Sequence, residues 1–255
     1  MSTAGAYRTW VHHTEEEPRV RVYVWDAVVR SVHWLIAGSI LVLAVTGLYM
    51  GNPFLGSVGP ATPHFLMGWM KTIHFYSAIV FIISFCARLV WFFIGPKQAS
   101  WRQFIPTTRE RWRNFARTLR FYTFFSVKTP GAIAHNSVAG LAYSVVFFLY
   151  VVMIVTGLAL YGSSATVTSP MYLFHGLAPL VGGLQTARLV HHVVMWLILG
   201  FVIHHVYSAL LTSKQERNGE LDSIFSGNKF LFREELQAGK DDFGPRETRK
   251  SHVRA

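Results

Sequence analysis

Twelve histidines stand in this 255-residue chain, and the chemistry open to each depends on where it falls. His33, His74, His191, His192, His204 and His205 lie within or at the ends of long apolar segments, and His135 borders another. His12, His13 and His252 lie in polar tails, and His64 and His175 in connections rich in Gly and Pro. Ionisable groups inside apolar spans are costly and usually functional. An imidazole can ligate a metal through either ring nitrogen, and two imidazoles from facing helices can hold the iron of a haem in a bundle. The single cysteine, Cys86, allows no disulfide, no four-cysteine cluster and no CxxCH haem attachment. Iron–sulfur chemistry would have to come from another chain.

The elements that must position these histidines follow from composition. Apolar residues make up 51% of the chain and charged residues 15%, against about 25% charged in a soluble domain. Four segments reach the roughly 20 apolar residues that a membrane-spanning helix needs: 31–50, 69–94, 136–161 and 189–212. They lack the polar alternation of a transmembrane barrel. The expected fold is all-α, an integral membrane four-helix bundle.

A net charge of +11 could suggest nucleic acid, but its distribution points to a membrane. Of the 24 basic residues, four precede the first span, eight lie between the second and third, and nine follow the fourth. The connections 51–68 and 162–187 carry no Lys or Arg. By the positive-inside rule the basic regions, and both termini, are cytoplasmic, with anionic lipid headgroups as their partners. Residues 1–30 include Glu15, Glu16 and Glu17 and lack the apolar core of a cleavable signal peptide, so the first span is expected to direct its own insertion.

The chain is thus expected to comprise a cytoplasmic arm (1–30), a multi-pass domain in the inner membrane (31–212) and a cytoplasmic tail (213–255), the tail with one weakly amphipathic stretch, Leu221 to Leu236. From Arg109 to Phe125, Arg alternates with Trp, Phe and Tyr, the pattern of a helix lying in the headgroup region. A solvated basic linker is the plainer alternative. Thr46-Gly47-Leu48 recurs as Thr156-Gly157-Leu158, each near an outer helix end. Without matching histidine spacing, the echo does not read as a duplication.

Topology sorts the histidines into two depths: His33 with His204 or His205 near the inner face, and His74 with His191 or His192 near the outer face. Helix phase chooses within the doublets. Fourteen residues fall about 40° short of four turns, whereas 13 or 12 residues diverge widely. Only His191 and His205 are 14 apart, so they share a face about 21 Å apart along the axis. Two b-type haems, one held by His33 and His205 and one by His74 and His191, satisfy this layout.

The same spacing carries Arg88 from His74 to the inner level and Gly47 from His33 to the outer level. Arg88 could meet a haem propionate or snorkel to headgroups. Gly47 could admit a macrocycle or simply let helices pack closely. Lys71 and Arg188 read as boundary anchors. His135, His192 and His204 remain second-choice ligands or quinone-site residues, and His64 and His175 read as surface residues. A haem-free transporter or proton-relay protein would also use membrane histidines, but with Asp or Glu in the spans; all 13 acidic residues lie outside them.

Several motifs carry a family resemblance. They are Arg30-Ser31-Val32-His33-Trp34 leading to Thr46-Gly47; Lys71-Thr72-Ile73-His74-Phe75; Gly131 to Asn136 around His135; and Val190-His191 through Met195-Trp196 to His205-Val206-Tyr207. Over about residues 20–212 the chain resembles the b-type cytochrome subunit of membrane-bound nickel–iron hydrogenases. The wider group includes cytochrome b subunits of formate dehydrogenases and thiosulfate reductases. The doubled histidines at 192 and 204 depart from the pattern, and ligand choice there rests on helix phase.

The resemblance implies an electron-transfer subunit that does not itself split hydrogen. The iron–sulfur (small) and nickel–iron (large) hydrogenase subunits would dock on the outer face. Electrons would pass from the outer haem to the inner one and then to a quinone reduced near the cytoplasmic face. A cytochrome b anchor of a formate dehydrogenase or related molybdenum enzyme is the alternative partner assignment, and a stand-alone ferric reductase a minor one.

Overall fold

The structure is a computed structural model that describes residues 19–54, 65–105, 109–122, 137–216 and 218–231. Expectations for His12, His13, His64, His135 and His252, and for the tail beyond 231, lie outside the described residues.

In chain order the described elements are β1 (Val20–Tyr23), α1 (Ala27–Gly51), α2 (Leu66–Ile94), α3 (Arg109–Tyr122), α4 (Ser137–Ser164), α5 (Leu177–Leu180), α6 (Leu184–Glu216), α7 (Glu220–Ser226) and β2 (Asn228–Leu231). Among them α1, α2, α4 and α6 are long and apolar enough to cross a membrane. They hold 25, 29, 28 and 33 residues, about 37 Å or more each at 1.5 Å per residue. A hydrocarbon layer of about 30 Å leaves their ends in the headgroups. All four outrun the apolar windows, and local signals set two of their starts. Asp26 Oδ1 accepts the Val29 N–H at 2.9 Å, starting α1 ahead of its apolar run. Gly182 and Gly183, both at positive φ, turn the chain into α6.

Two compact units are present. The first comprises Ser31–Val90 and Val146–Val206. Each spanning helix gives two buried residues to its core: Val32 and Ile36, Phe81 and Phe85, Val146 and Tyr150, Val194 and Ile198. Rings dominate this core. Tyr150 meets Phe81 and Phe85 edge-on at 5.0 and 5.6 Å, and Phe147 meets Phe85 at 5.7 Å. Leu41, Ile83, Phe148 and Ile203 are exposed, as lipid-facing residues should be.

The second unit holds the described parts of 1–30, 91–145 and 207–255. Here the arm and tail are joined, which the sequence reading did not anticipate. β1 pairs antiparallel with β2, from Val20 opposite Leu231 to Tyr23 opposite Asn228. Within the weakly amphipathic stretch from Leu221, the described residues form a short helix and a strand. Gly227 breaks it at φ 82°, a conformation suited to glycine. Its carbonyl accepts the N–H groups of Val24 and Trp25. Trp25 Nε1 donates to Ser223 Oγ at 3.2 Å, and buried Lys229 pairs with Glu220 at 2.6 Å. Trp91 Nε1 donates to Asp26 Oδ2 at 3.0 Å, so one carboxylate caps α1 and holds the end of α2. On α3, Trp112 and Leu119 are exposed beside Arg109, Arg113 and Arg120, the composition of an interfacial helix.

Asp26→Ala removes a cap and orphans an indole donor, a loss of about 2 kcal/mol. It should lower the thermal unfolding midpoint in detergent, and Asp26→Asn, which keeps one acceptor oxygen, should lower it less. Equal midpoints for alanine and parent would show that Asp26 does not tie the helix ends.

Candidate functional site

The outer layer is built from a repeated device. On α1, Thr46 is buried, and its Oγ1 donates to the Val42 carbonyl at 2.7 Å, with Leu43 O at 3.3 Å. The same oxygen lies 2.8 Å from Nδ1 of His74 on α2. On α4, Thr156 Oγ1 donates to Val152 O at 2.7 Å, with Met153 O at 3.2 Å, and lies 2.8 Å from Nδ1 of His191 on α6. Back-bonding to the preceding turn is how a helical threonine satisfies its hydroxyl.

The next residue is glycine in both cases. A Cβ on Gly47 would stand 3.4 Å from His74 Cε1, and one on Gly157 would stand 3.3 Å from His191 Cε1. Each ring thus lies against a bare stretch of the facing helix. His74 and His191 are near enough to interact electrostatically.

The inner layer is built differently. The rings of His33 and His205 face each other with centroids 6.3 Å apart and planes inclined at 57°. Trp34 meets His33 edge-on at 5.2 Å, and Phe201 stacks on His205 at 5.6 Å. Nδ1 of His33 is buried without a hydrogen-bond partner. Arg88 on α2 is buried at 7% exposure, so its guanidinium is not spread over the surface.

The second-choice histidines stand apart from these pairs. His192 is exposed, and its Nδ1 donates to the Arg188 carbonyl of its own helix at 3.0 Å. His204 is exposed. His175 is exposed and stacks on Tyr172. Lys71 and Arg188 are exposed, Arg188 bonding to Gln185 at 3.2 Å. Thr46, Thr156 and Gly157 were not read as site residues from sequence; their signal was the Thr-Gly-Leu echo. Among the described residues no three His, Cys, Asp or Glu side chains cluster around a common point. What the spans offer is pairs of imidazoles, which suit a metal whose equatorial positions are filled by something else.

Residues 24–227 match the prokaryotic cytochrome b561 family. A probable Ni/Fe-hydrogenase B-type cytochrome subunit of Cupriavidus necator is 37% identical over 80% of this chain and 85% of that protein. Its counterpart in Bradyrhizobium diazoefficiens is 33% identical over 83% and 87%. A probable Ni/Fe-hydrogenase 1 B-type cytochrome subunit of Escherichia coli K12 is 35% identical over 74% and 82%.

Space at the glycines yields a graded expectation. A Cβ on Gly51 would come within 2.7 Å of His192 Nε2, the far end of an exposed side chain that can swing aside. Gly51→Ala should therefore be tolerated. Gly157→Val would press a branched side chain on the His191 ring and should cost about 1–3 kcal/mol as overpacking. Thermal melts of the two variants in detergent check the ranking, and equal melts would remove the glycine's steric role.

Proposed function

The chain belongs to the prokaryotic cytochrome b561 family, and we propose that it is the di-haem membrane subunit carrying electrons from a nickel–iron hydrogenase to quinone. The observation that carries this reading is the pairing of four membrane histidines into two layers, each drawing one ring from α6. The names of the relatives favour hydrogenase over formate dehydrogenase as the partner.

The residues fit haem b. A metal held by two imidazole nitrogens at about 2 Å each separates the ring centroids by about 6 Å, and those of His33 and His205 are 6.3 Å apart. His33 also presents a buried ring nitrogen with no protein partner, a costly state in an apolar bundle unless the ring is used. Haem b bound there would supply a one-electron ferric/ferrous couple. His33 and His205 would hold the inner haem and His74 and His191 the outer one. Gly47 leaves the α1 backbone open beside His74, and buried Arg88 would offer a cation to a propionate at the inner level.

Charge distribution supports the orientation. The three basic regions belong on the cytoplasmic face, placing His74 and His191 toward the outside. The outer connection 162–187 carries no Asp, Glu, Lys or Arg and exposes Val167, Leu173 and Leu180, an apolar surface suited to docking the hydrogenase subunits. Quinone reduced near the cytoplasmic face would take its protons from that side, making hydrogen oxidation electrogenic.

A reduced-minus-oxidised spectrum of the purified chain, with haem extracted and quantified, tests the reading; about two b-type haems per chain are expected from two bis-histidine layers. His33→Ala and His205→Ala should each remove one spectral component, His74→Ala and His191→Ala the other, and His192→Ala neither. Haem contents equal to the parent in all four ligand variants would refute the assignment. Arg88→Gln removes a buried positive charge, which favours the ferric state. It should lower the midpoint potential of the component lost in His33→Ala and leave the other in place, as a spectropotentiometric titration would show.

A further inference from the structure

We propose that Thr46 and Thr156 are positioning residues that hold His74 and His191 with the proton on Nδ1, so that Nε2 of each ring keeps its lone pair for iron. The inference rests on the haem reading given above and adds to it how the outer ligands are prepared.

A threonine hydroxyl has one proton to give and two lone pairs. Thr46 gives its proton to the Val42 carbonyl, 2.7 Å away, because a carbonyl can only accept. What the Thr46 oxygen turns toward His74 Nδ1 at 2.8 Å is therefore a lone pair, and the ring nitrogen must be the donor. A neutral imidazole carries one N–H, so Nε2 is left as the acceptor. Thr156 repeats every step, with the Val152 carbonyl at 2.7 Å and His191 Nδ1 at 2.8 Å.

Glycine completes the device. Gly47 and Gly157 lie against Cε1, the ring carbon between the two nitrogens, within 3.4 and 3.3 Å of where a Cβ would be. A ring anchored at Nδ1, with its Cε1 edge against bare backbone, has little freedom to turn its Nε2 away. Fixing the tautomer through a partner on the second nitrogen is a general way of preparing a metal-binding histidine, and it raises the ligand's basicity. The ferric state is favoured as a result, which lowers the reduction potential. Both outer rings carry this tie.

The test uses the full chain purified with its haem. Thr46→Val and Thr156→Val keep the shape and remove the hydroxyl, and Thr46→Ser and Thr156→Ser keep the hydroxyl. Haem stoichiometry, spectropotentiometric titration and low-temperature EPR of the ferric state are read for each. The valine variants should weaken haem binding at the outer layer about 10-fold or more, seen as a fall from two haems toward one on dilution. In the haem that remains, the component lost in His74→Ala should titrate at a more positive potential with altered g-values. The serine variants should match the parent.

Valine variants that match the parent in all three readouts would overturn the proposal. So would serine variants that fall as far as valine, since methyl packing would then be the cause. Failure of the ligand assignment shows separately: His74→Ala and His191→Ala would retain full haem whatever the threonine variants do.

Discussion

The bond between a threonine hydroxyl and an imidazole is the interaction on which the outer half of the spanning unit depends. A bilayer offers no water to complete a polar group, so each must be satisfied within the protein. Thr46 and Thr156 meet this demand twice over, spending their protons on their own helices and offering lone pairs to facing rings. That requirement brings the Thr46 face of α1 to α2 and the Thr156 face of α4 to α6. The glycines beside them then have to be bare, because the rings lie where side chains would be. The aromatic core around Phe85 and Tyr150 fills the bundle with apolar contacts that ask for no hydrogen-bonding partner beyond the tyrosine hydroxyl.

Lipid makes some of this legible in sequence and hides the rest. About twenty mostly apolar residues have few other fates, so the four spans could be read directly. Their ends could not, because a helix stops where its backbone is capped. Asp26 acts here through one hydrogen bond to Val29 and one to Trp91, and the second joins residues 65 positions apart. The β1–β2 ribbon was equally hidden. Strands of four residues carry almost no periodicity, and their pairing joins opposite ends of the described chain.

The site divides in the same way. Depth and helix phase sorted six histidines into two layers and favoured His191 and His205 within their doublets. In the structure His205 faces His33, while His192 turns to the carbonyl of Arg188. The Thr-Gly echo is visible too, but without matching histidine spacing it does not read as a duplication. The repeat lies instead between a Thr-Gly pair and the histidine of the next span, 28 residues on in one case and 35 in the other. The intervening loops differ in length, so no fixed period exposes it. Only the three-dimensional contact shows that the two halves do the same thing.

On the proposed assignment the two layers are tuned in opposite senses. At the outer layer both rings donate to neutral oxygens, which strengthens them as ligands and favours the oxidised couple. At the inner layer His33 and His205 are flanked by Trp34 and Phe201. Arg88 brings a buried positive charge to that depth, and a nearby cation favours the state with one electron more. Charge, hydrogen bonding and burial are among the means by which a protein sets a haem potential. Here the outer hydrogen bonds would lower the outer potential, and the Arg88 charge would raise the inner one. On that assignment an electron entering beside the uncharged connections would move energetically downhill toward the basic face, the direction the proposed relay to quinone needs.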